Sequence, residues 1–188
     1  MTNNVKSVYV LLTDTGTLFT RLIKWYTNAP YNHVSIVLDE ELNEIYSFGR
    51  KNPRNPLTAG FIKEDVYFGT YRHFSNTRCQ LLKIDVSKGE YVRIKHVIQS
   101  FQRNKDIYSY NLLGLLGVAV HRPINRRNKY FCSQFVADLF RKSGLNLWNL
   151  PPELVTPNDF FKHPRFEMIY EGRLYDYPYL DQRLLSFQ

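Results

Sequence analysis

The stretch from Lys129 to Phe140 constrains the fold of this chain most strongly. Its apolar residues recur at the three- and four-residue spacing of an amphipathic helix. They are Phe131, Phe135, Val136, Leu139 and Phe140. Cys132 falls in the first turn of this predicted helix, on the same apolar stripe as the others.

The position of Cys132 indicates a nucleophile. At the start of a helix, unsatisfied backbone N–H groups and the positive end of the helix dipole favour thiolate over thiol. The nearby basic residues Arg126, Arg127 and Lys129 act in the same direction. The alternative is core packing, because a lone cysteine on an apolar stripe is usually buried and unreactive.

A second stretch, Tyr31 to Asp39, supplies a candidate for the general base. It alternates and is rich in β-branched residues, which predicts a half-buried strand with His33 near its start. The alternative for His33 is a core histidine that is satisfied by a backbone partner. His121, in a basic loop, is a second candidate for the base. A nucleophile and a base in one chain together favour catalysis over packing.

The chain length of 188 residues suits one domain with a sizeable core, and we predict a single domain over 1–188 with 173–188 as a peripheral tail. The net charge of +8 is compatible with nucleic acid, an anionic membrane or an acidic substrate. The basic residues are scattered and no nucleic-acid motif accompanies them, so we predict no nucleic-acid partner. No histidines or cysteines fall at metal-ligand spacing, so we predict neither a metal nor another cofactor.

The location predicted from the sequence is cytoplasmic. The N-terminus lacks the pattern of a secretory signal. The longest apolar run, from Leu112 to Val120, is too short to cross a bilayer. We therefore expect Cys79 and Cys132 to be free thiols, with Cys79 in a structural role because it has neither a helix start nor a positioned base.

Hydrophobic periodicity predicts a mixed set of strands and helices. The predicted strands cover 5–13, 31–39, 44–49, 61–62, 66–72, 78–86 and 166–172. The predicted helices cover 18–26, 87–104, 108–120, 129–140 and 156–162. The strand over 5–13 is apolar nearly throughout, which predicts a central place in a sheet.

The sequence His33-Val34-Ser35-Ile36 on a predicted strand, followed far downstream by a helix opening at Tyr130-Phe131-Cys132, resembles the circularly permuted papain-like cysteine hydrolases. These are the YiiX-like branch of the NlpC-type peptidase superfamily, which is related to the lecithin:retinol acyltransferase group. The order of histidine before cysteine matches the permuted branch, and the similarity spans the chain from about Val8 to about Gly172. The resemblance implies an α+β fold in which an antiparallel sheet packs against the nucleophile-bearing helix. It also implies Cys132 as nucleophile and His33 as general base.

The same resemblance implies a third polar residue, on the strand that returns after the histidine strand, which orients the imidazole. Matching the hydrophobic patterns puts Ser47 at that place. A serine accepts a hydrogen bond from the imidazole but adds no charge, so a backbone carbonyl and a distant carboxylate such as Glu64 stay open as alternatives. Tyr110 and Tyr130 are the predicted substrate-binding residues, and Tyr130 is either an oxyanion donor beside the Cys132 N–H or a packing residue.

The function we predict is hydrolysis of a peptide-like amide bond through a thioester on Cys132, with His33 as the base. The relation to acyltransferases that the resemblance implies, the abundant aromatic residues and the basic surface favour the alternative of a lipid-directed acyl hydrolase or acyltransferase. A third alternative is a catalytically silent binding module of the same fold. The expected partners are a peptide-like or acylated small-molecule substrate and, for the lipid alternative, an anionic lipid.

Overall fold

A six-stranded antiparallel sheet is the framework of the described chain, which comprises residues 5–15, 30–52 and 55–185 of this computed structural model. The strands are β1 (Val5–Asp14), β2 (His33–Val37), β3 (Ile45–Asn52), β4 (Asn55–Glu64), β5 (Arg78–Ser87), β6 (Ser109–Tyr110), β7 (Lys129–Tyr130) and β8 (Glu167–Arg173). The sheet order is β4-β3-β2-β1-β5-β8, and β6 and β7 form a separate parallel pair. The helix predicted over 18–26 lies outside the described residues.

Two helices, Lys88–Arg103 and Cys132–Lys142, pack on one face of the sheet. The helices of the described residues are α1 (Lys88–Arg103), α2 (Leu112–Ala119), α3 (Cys132–Lys142), α4 (Pro157–Phe161) and α5 (Gln182–Leu185). The protein is therefore α+β with an antiparallel sheet, which confirms the predicted class at this level. No helix within 5–15, 30–52 and 55–185 is long and apolar enough to cross a membrane.

The central strand β1 explains why the sheet is buried on both sides. It lies between β2 and β5, and its side chains alternate between two apolar clusters. The cluster on one face includes Val8 and Val10 together with residues of α1 and α3. The cluster on the other face includes Leu174, Tyr177 and Leu180, so the segment predicted as a peripheral tail covers this face of the sheet.

Three predicted elements differ from the structure. The strand predicted over 66–72 is a turn followed by a 3-10 helix at Thr70–His73, because the Asp65 carboxylate accepts the backbone N–H groups of Tyr67 and Phe68 at 2.8 and 2.9 Å. The strand predicted over 61–62 is the end of the much longer β4. The helix predicted from residue 108 begins at Leu112, because the chain before it pairs with β7.

Helix α3 runs from Cys132 to Lys142, slightly later than the predicted 129–140, because Lys129 and Tyr130 form β7. It begins at Cys132, and its inward residues, such as Phe135 and Leu139, are completely buried. It ends before Gly144, whose φ of +91° is accessible to glycine at little cost. The helix packs against β2 and β3, so its N-terminus points at the strand that carries His33.

Candidate active site

Cys132 and His33, about a hundred residues apart in sequence, meet in the structure. The imidazole of His33 acts on the thiol of Cys132 and, through a hydrogen bond and its charge, lowers the pKa of that thiol. The backbone N–H groups of Val34 and Ser133, one from the sheet and one from the first turn of α3, also lower the pKa of this thiol. Because these N–H groups stabilise negative charge, the environment of the sulfur favours the thiolate over the thiol.

The second contact of the imidazole is with Glu64 at the end of β4. His33 Nε2 lies 2.7 Å from Glu64 Oε1, which leaves Nδ1 as the ring nitrogen for the thiol. The side chain of Glu64 is only 7% exposed. The three side chains therefore form a continuous chain from the sulfur through the imidazole to a buried carboxylate.

The register of the sheet brings Glu64 to this position. In β3 and β4, Ile45 pairs with Glu64 and Ser47 pairs with Ile62. In β2 and β3, Ile36 pairs with Tyr46, so His33, Ser47 and Glu64 all project from the same face of the sheet. Glu64 thus reaches back across β3 to the start of β2.

Hydroxyl groups hold the Glu64 carboxylate in place. It accepts hydrogen bonds from Ser35 at 3.0 Å, from Tyr71 at 2.8 Å and from Ser47. Tyr71 in turn lies 3.4 Å from the hydroxyl of Thr13. A buried carboxylate with this many donors is stabilised in its ionised form.

The predicted role of Ser47 therefore needs a correction. The partner of His33 Nε2 is Glu64, which the sequence left open as an alternative, and Ser47 donates to that carboxylate. The reason is geometric, because β4 pairs with β3 along nearly its whole length and extends beyond Ser47 to Glu64. Ser47 supports the residue that contacts the imidazole.

The charges of the three groups are coupled. Burial alone would lower the pKa of His33, but the charge of Glu64 and the hydrogen bonds with Cys132 and Glu64 raise it to about 10. Burial raises the pKa of the Cys132 thiol, yet the hydrogen bond and charge of His33, with the N–H groups of Val34 and Ser133, bring it below its ordinary value. Both shifts favour a thiolate–imidazolium pair. His33 and two backbone N–H groups are the main causes of this lowering, ahead of the basic residues predicted to act on the thiol.

The pKa of the Glu64 carboxyl moves in the matching direction. Burial would raise it, but the positive charge of His33 and hydrogen bonds from His33, Ser47 and Tyr71 lower it. Glu64 is therefore ionised over the pH range in which His33 is protonated. The positive charge of the imidazolium is then compensated by the Glu64 carboxylate on one side and by the Cys132 sulfur on the other.

Tyr110, one of the two predicted substrate-binding residues, interacts with the sulfur of Cys132. Its side chain lines the cleft together with His33. Burial and the negative charge of the sulfur raise the pKa of Tyr110 well above its ordinary value. The phenol therefore stays protonated and acts as a donor.

Tyr130, the other predicted substrate-binding residue, points elsewhere. Its hydroxyl donates to Asp138 Oδ2 at 3.1 Å and accepts from Lys142 Nζ at 3.4 Å, and its ring packs against Phe48 and Phe101. Asp138 lies six residues after Cys132, which is about 9 Å along the helix axis. Tyr130 is therefore a packing residue, and Tyr110 is the tyrosine that lies at the sulfur.

A cleft of about 260 Å³ opens beside His33 and Glu64, and Cys132 is not among the described residues that line it. Apolar side chains such as Phe48, Ile62 and Phe74 line it together with His33 and Tyr110. The rival base, His121, is exposed in the turn that follows α2. The cleft thus gives an acyl substrate access to the imidazole at the end of β2.

Sequence reasoning missed Ser35 and Tyr71, which complete the hydrogen bonds to Glu64. Ser35 had a signal, because it lies two residues after His33 on the same face of a predicted strand. Tyr71 had none, because its position depends on the 3-10 helix that replaces the predicted strand. No family model matches this chain, and no curated protein shows significant similarity to it.

Proposed function

We propose that this protein is a cysteine hydrolase that cleaves a peptide-like amide bond through a thioester intermediate. The observation that supports this most directly is the place of His33, whose Nε2 bonds to the buried Glu64 and whose imidazole lowers the pKa of the Cys132 thiol. We further propose that the fold is the permuted papain-like fold of the YiiX-like hydrolases. The histidine strand before the cysteine helix and the antiparallel sheet against that helix support this assignment.

The reaction begins with the thiolate–imidazolium pair. The sulfur of Cys132 attacks the substrate carbonyl carbon, a C–S bond forms, and the carbonyl π electrons move to oxygen. The oxyanion is stabilised by the backbone N–H of Cys132 at the start of α3 and by the Tyr110 hydroxyl. The oxyanion then collapses, the C–N bond breaks, and His33 gives its proton to the leaving amine.

Hydrolysis of the thioester returns the enzyme to its starting state. The neutral His33 takes a proton from water, and the resulting hydroxide equivalent attacks the thioester carbonyl. The C–S bond breaks and the thiolate leaves, while His33 is again an imidazolium beside Glu64. The lowered pKa of Cys132 makes its thiolate a good leaving group in this step.

A lipid-directed acyl hydrolase or acyltransferase is the second candidate. The apolar wall of the cleft, formed by Phe48, Ile62 and Phe74, supports it because such a wall accommodates an acyl chain. In a transferase the acceptor is an alcohol or amine in place of water, and the steps at Cys132 and His33 are unchanged.

The proposal is tested with a panel of amide and ester acyl donors, including acyl lipids in liposomes. The wild-type protein and Cys79→Ala should turn over the same donors at similar rates. Cys132→Ala should lose on the order of a thousandfold or more in kcat/KM while keeping its fold. Preference for amides favours the hydrolase, and preference for liposomal esters favours the lipid alternative. Full activity in Cys132→Ala, or no turnover of any donor by the wild type, would contradict both.

A further inference from the structure

Cationic side chains gather along the wall of the catalytic cleft. Arg50, Lys51 and Lys63, all from the β3–β4 hairpin, line the same cleft as His33. The described acidic residues that line it have other roles, because Glu64 binds His33 and Asp65 accepts backbone N–H groups of the following turn. The wall that faces a substrate is therefore basic.

The basic residues lie close to the reacting groups. A Cβ built on Gly49 would lie 3.6 Å from Cε1 of His33, so Gly49 borders the imidazole directly. Arg50 and Lys51 follow at once in β3, which places their backbone within about 7 Å of that point. The charge of Arg50 also acts on the phenol of Tyr110, the residue that contacts the sulfur.

The side chain of Lys51 packs against Gly60. A Cβ on Gly60 would lie 2.9 Å from Cε of Lys51 and 3.0 Å from the carbonyl oxygen of Tyr108, so a larger residue would push the lysine away. The side chain therefore lies along the backbone of β4 toward a second hollow of about 610 Å³. That hollow shares Lys51 and Lys63 with the cleft.

The second hollow extends the basic surface. Arg103 and Lys105 from the end of α1 line it, and Asp106 is the acidic residue among its described lining. Lys63 has a partner in Glu44 on the outer side of the hairpin. Lys51 is the cation common to both hollows that has no acidic partner among the residues the structure describes, so it is the group best placed to meet a ligand.

We infer that the substrate of this site is an acyl donor that carries an anionic group, a carboxylate or a phosphate, next to the bond that is cut. The inference rests on the proposed function for the position of that bond. Lysine and arginine bind both kinds of oxyanion through charge-assisted hydrogen bonds, which a neutral substrate would not use. An anion held at Lys51 would set the scissile carbonyl near the sulfur and the Tyr110 hydroxyl.

Binding can be measured without turnover by isothermal titration of full-length Cys132→Ala protein. The probes are butyryl-p-nitroanilide, glutaryl-p-nitroanilide with a carboxylate on the acyl part, and the butyryl amide of 5-amino-2-nitrobenzoate with a carboxylate on the leaving group. We expect at least one carboxylated probe to bind about tenfold more tightly than the neutral one. Lys51→Ala, introduced into the Cys132→Ala protein, should abolish this roughly tenfold preference for the carboxylated probe. Lys88→Ala, which changes an exposed lysine at the start of α1, should leave the preference unchanged. Competition by inorganic phosphate against acetate tells which oxyanion fits better.

Equal affinity for neutral and carboxylated probes, or a preference that survives Lys51→Ala, would overturn the inference. Hydrolysis assays of the wild type with the same probes separate it from the proposed function. Turnover of the neutral probe with no preference for the anion in binding overturns the inference and keeps the hydrolase. A preference for the anion in binding, lost in Lys51→Ala, supports the inference even where the wild type turns over none of the probes and the proposed hydrolase fails.

Discussion

The chain holds two buried free thiols, Cys79 and Cys132, and their surroundings shift their pKa values in opposite directions. Cys79 is 1% exposed and Cys132 is 5% exposed, so burial disfavours the thiolate at both. At Cys79, burial together with the negative charges of Asp176 and Glu171 raises the pKa to about 12. At Cys132, the imidazolium of His33 and two backbone N–H groups more than offset burial and lower the pKa.

The difference comes from the secondary structure around each sulfur. Cys79 lies within β5, which is paired on both sides with β1 and β8, so the backbone N–H groups around it are used in the sheet. Cys132 lies at the start of α3, where the N–H groups of the first turn have no partner within the helix and can stabilise a thiolate. Burial makes a cysteine inert only when nothing compensates the charge.

The largest expected effect is in alkylation by iodoacetamide at pH 6. A thiol with a pKa of about 12 has about one part in a million of thiolate at that pH, whereas any pKa below the ordinary value of 9 gives Cys132 at least a thousandfold more. We expect Cys132 to react at least a thousandfold faster than Cys79, as measured by peptide mass spectrometry over time. Comparable alkylation rates for the two cysteines would contradict the opposite shifts of their pKa values.

The second-largest effect is expected when His33, which distinguishes the surroundings of Cys132 from those of Cys79, is replaced by alanine. In His33→Ala the burial of Cys132 is opposed only by the two backbone N–H groups, so its pKa should rise and its alkylation at pH 6 should slow by about a hundredfold. The ultraviolet absorbance of the thiolate, followed against pH, measures the shift. His163→Ala is the control, because the ring of His163 bonds to the carbonyl of Leu147 at 2.8 Å, away from the sulfur. An unchanged thiolate titration in His33→Ala would mean that the helix start alone sets the pKa.

The pair of Cys132 and His33 was predictable because each residue carries a local signal. An apolar stripe predicts α3 and puts the cysteine in its first turn, and a β-branched alternation predicts β2 with the histidine at its start. Both signals arise within a few residues of the chain. The meeting of the two side chains then follows from an antiparallel sheet that packs on α3, which the resemblance implied.

The role of Glu64 was harder to predict because it depends on the register between strands. The stretch around Pro53 and Pro56 favoured a loop, so only residues 61–62 were predicted as a strand there. The structure forms β4 from Asn55 to Glu64, and its pairing with β3 decides which side chain reaches His33. A slip of one residue would turn Glu64 to the other face, and no local pattern in the sequence excludes that slip.

The Glu64→Gln variant tests whether the carboxylate controls the imidazole. Without the negative charge the pKa of His33 should fall from its raised value of about 10, so the imidazolium is lost at a lower pH as the pH rises. The alkaline limb of the pH profile of kcat/KM should move down, and kcat/KM at neutral pH should fall about ten- to a hundredfold. Glu171→Gln is the matched control, because Glu171 accepts a hydrogen bond from Tyr31 and lies near Cys79. If the alkaline limb does not move in Glu64→Gln, a group other than Glu64 controls His33.

The smallest effect concerns the far end of the network, where Tyr71 donates to Glu64. Tyr71→Phe removes a hydrogen bond to a charged group and should lower the free energy of unfolding at pH 7 by about 1.5–3 kcal/mol, as measured in urea. Tyr175→Phe is the control, because the Tyr175 hydroxyl donates to the neutral carbonyl of Val66, and its loss should cost about 0.5–1.5 kcal/mol.

The pH dependence separates these two tyrosine variants. The folded-state pKa of Glu64 is below its ordinary value of 4.5, so its contribution to stability is fully present above pH 4.5 and is lost as the pH falls through the folded-state pKa. The deficit of Tyr71→Phe should therefore shrink in acid, while that of Tyr175→Phe stays constant because no charge is involved. If the loss of unfolding free energy in Tyr71→Phe does not change with pH, Tyr71 stabilises the fold without acting on the carboxylate. The hydrogen-bond network that supports Cys132 would then extend no further than Glu64.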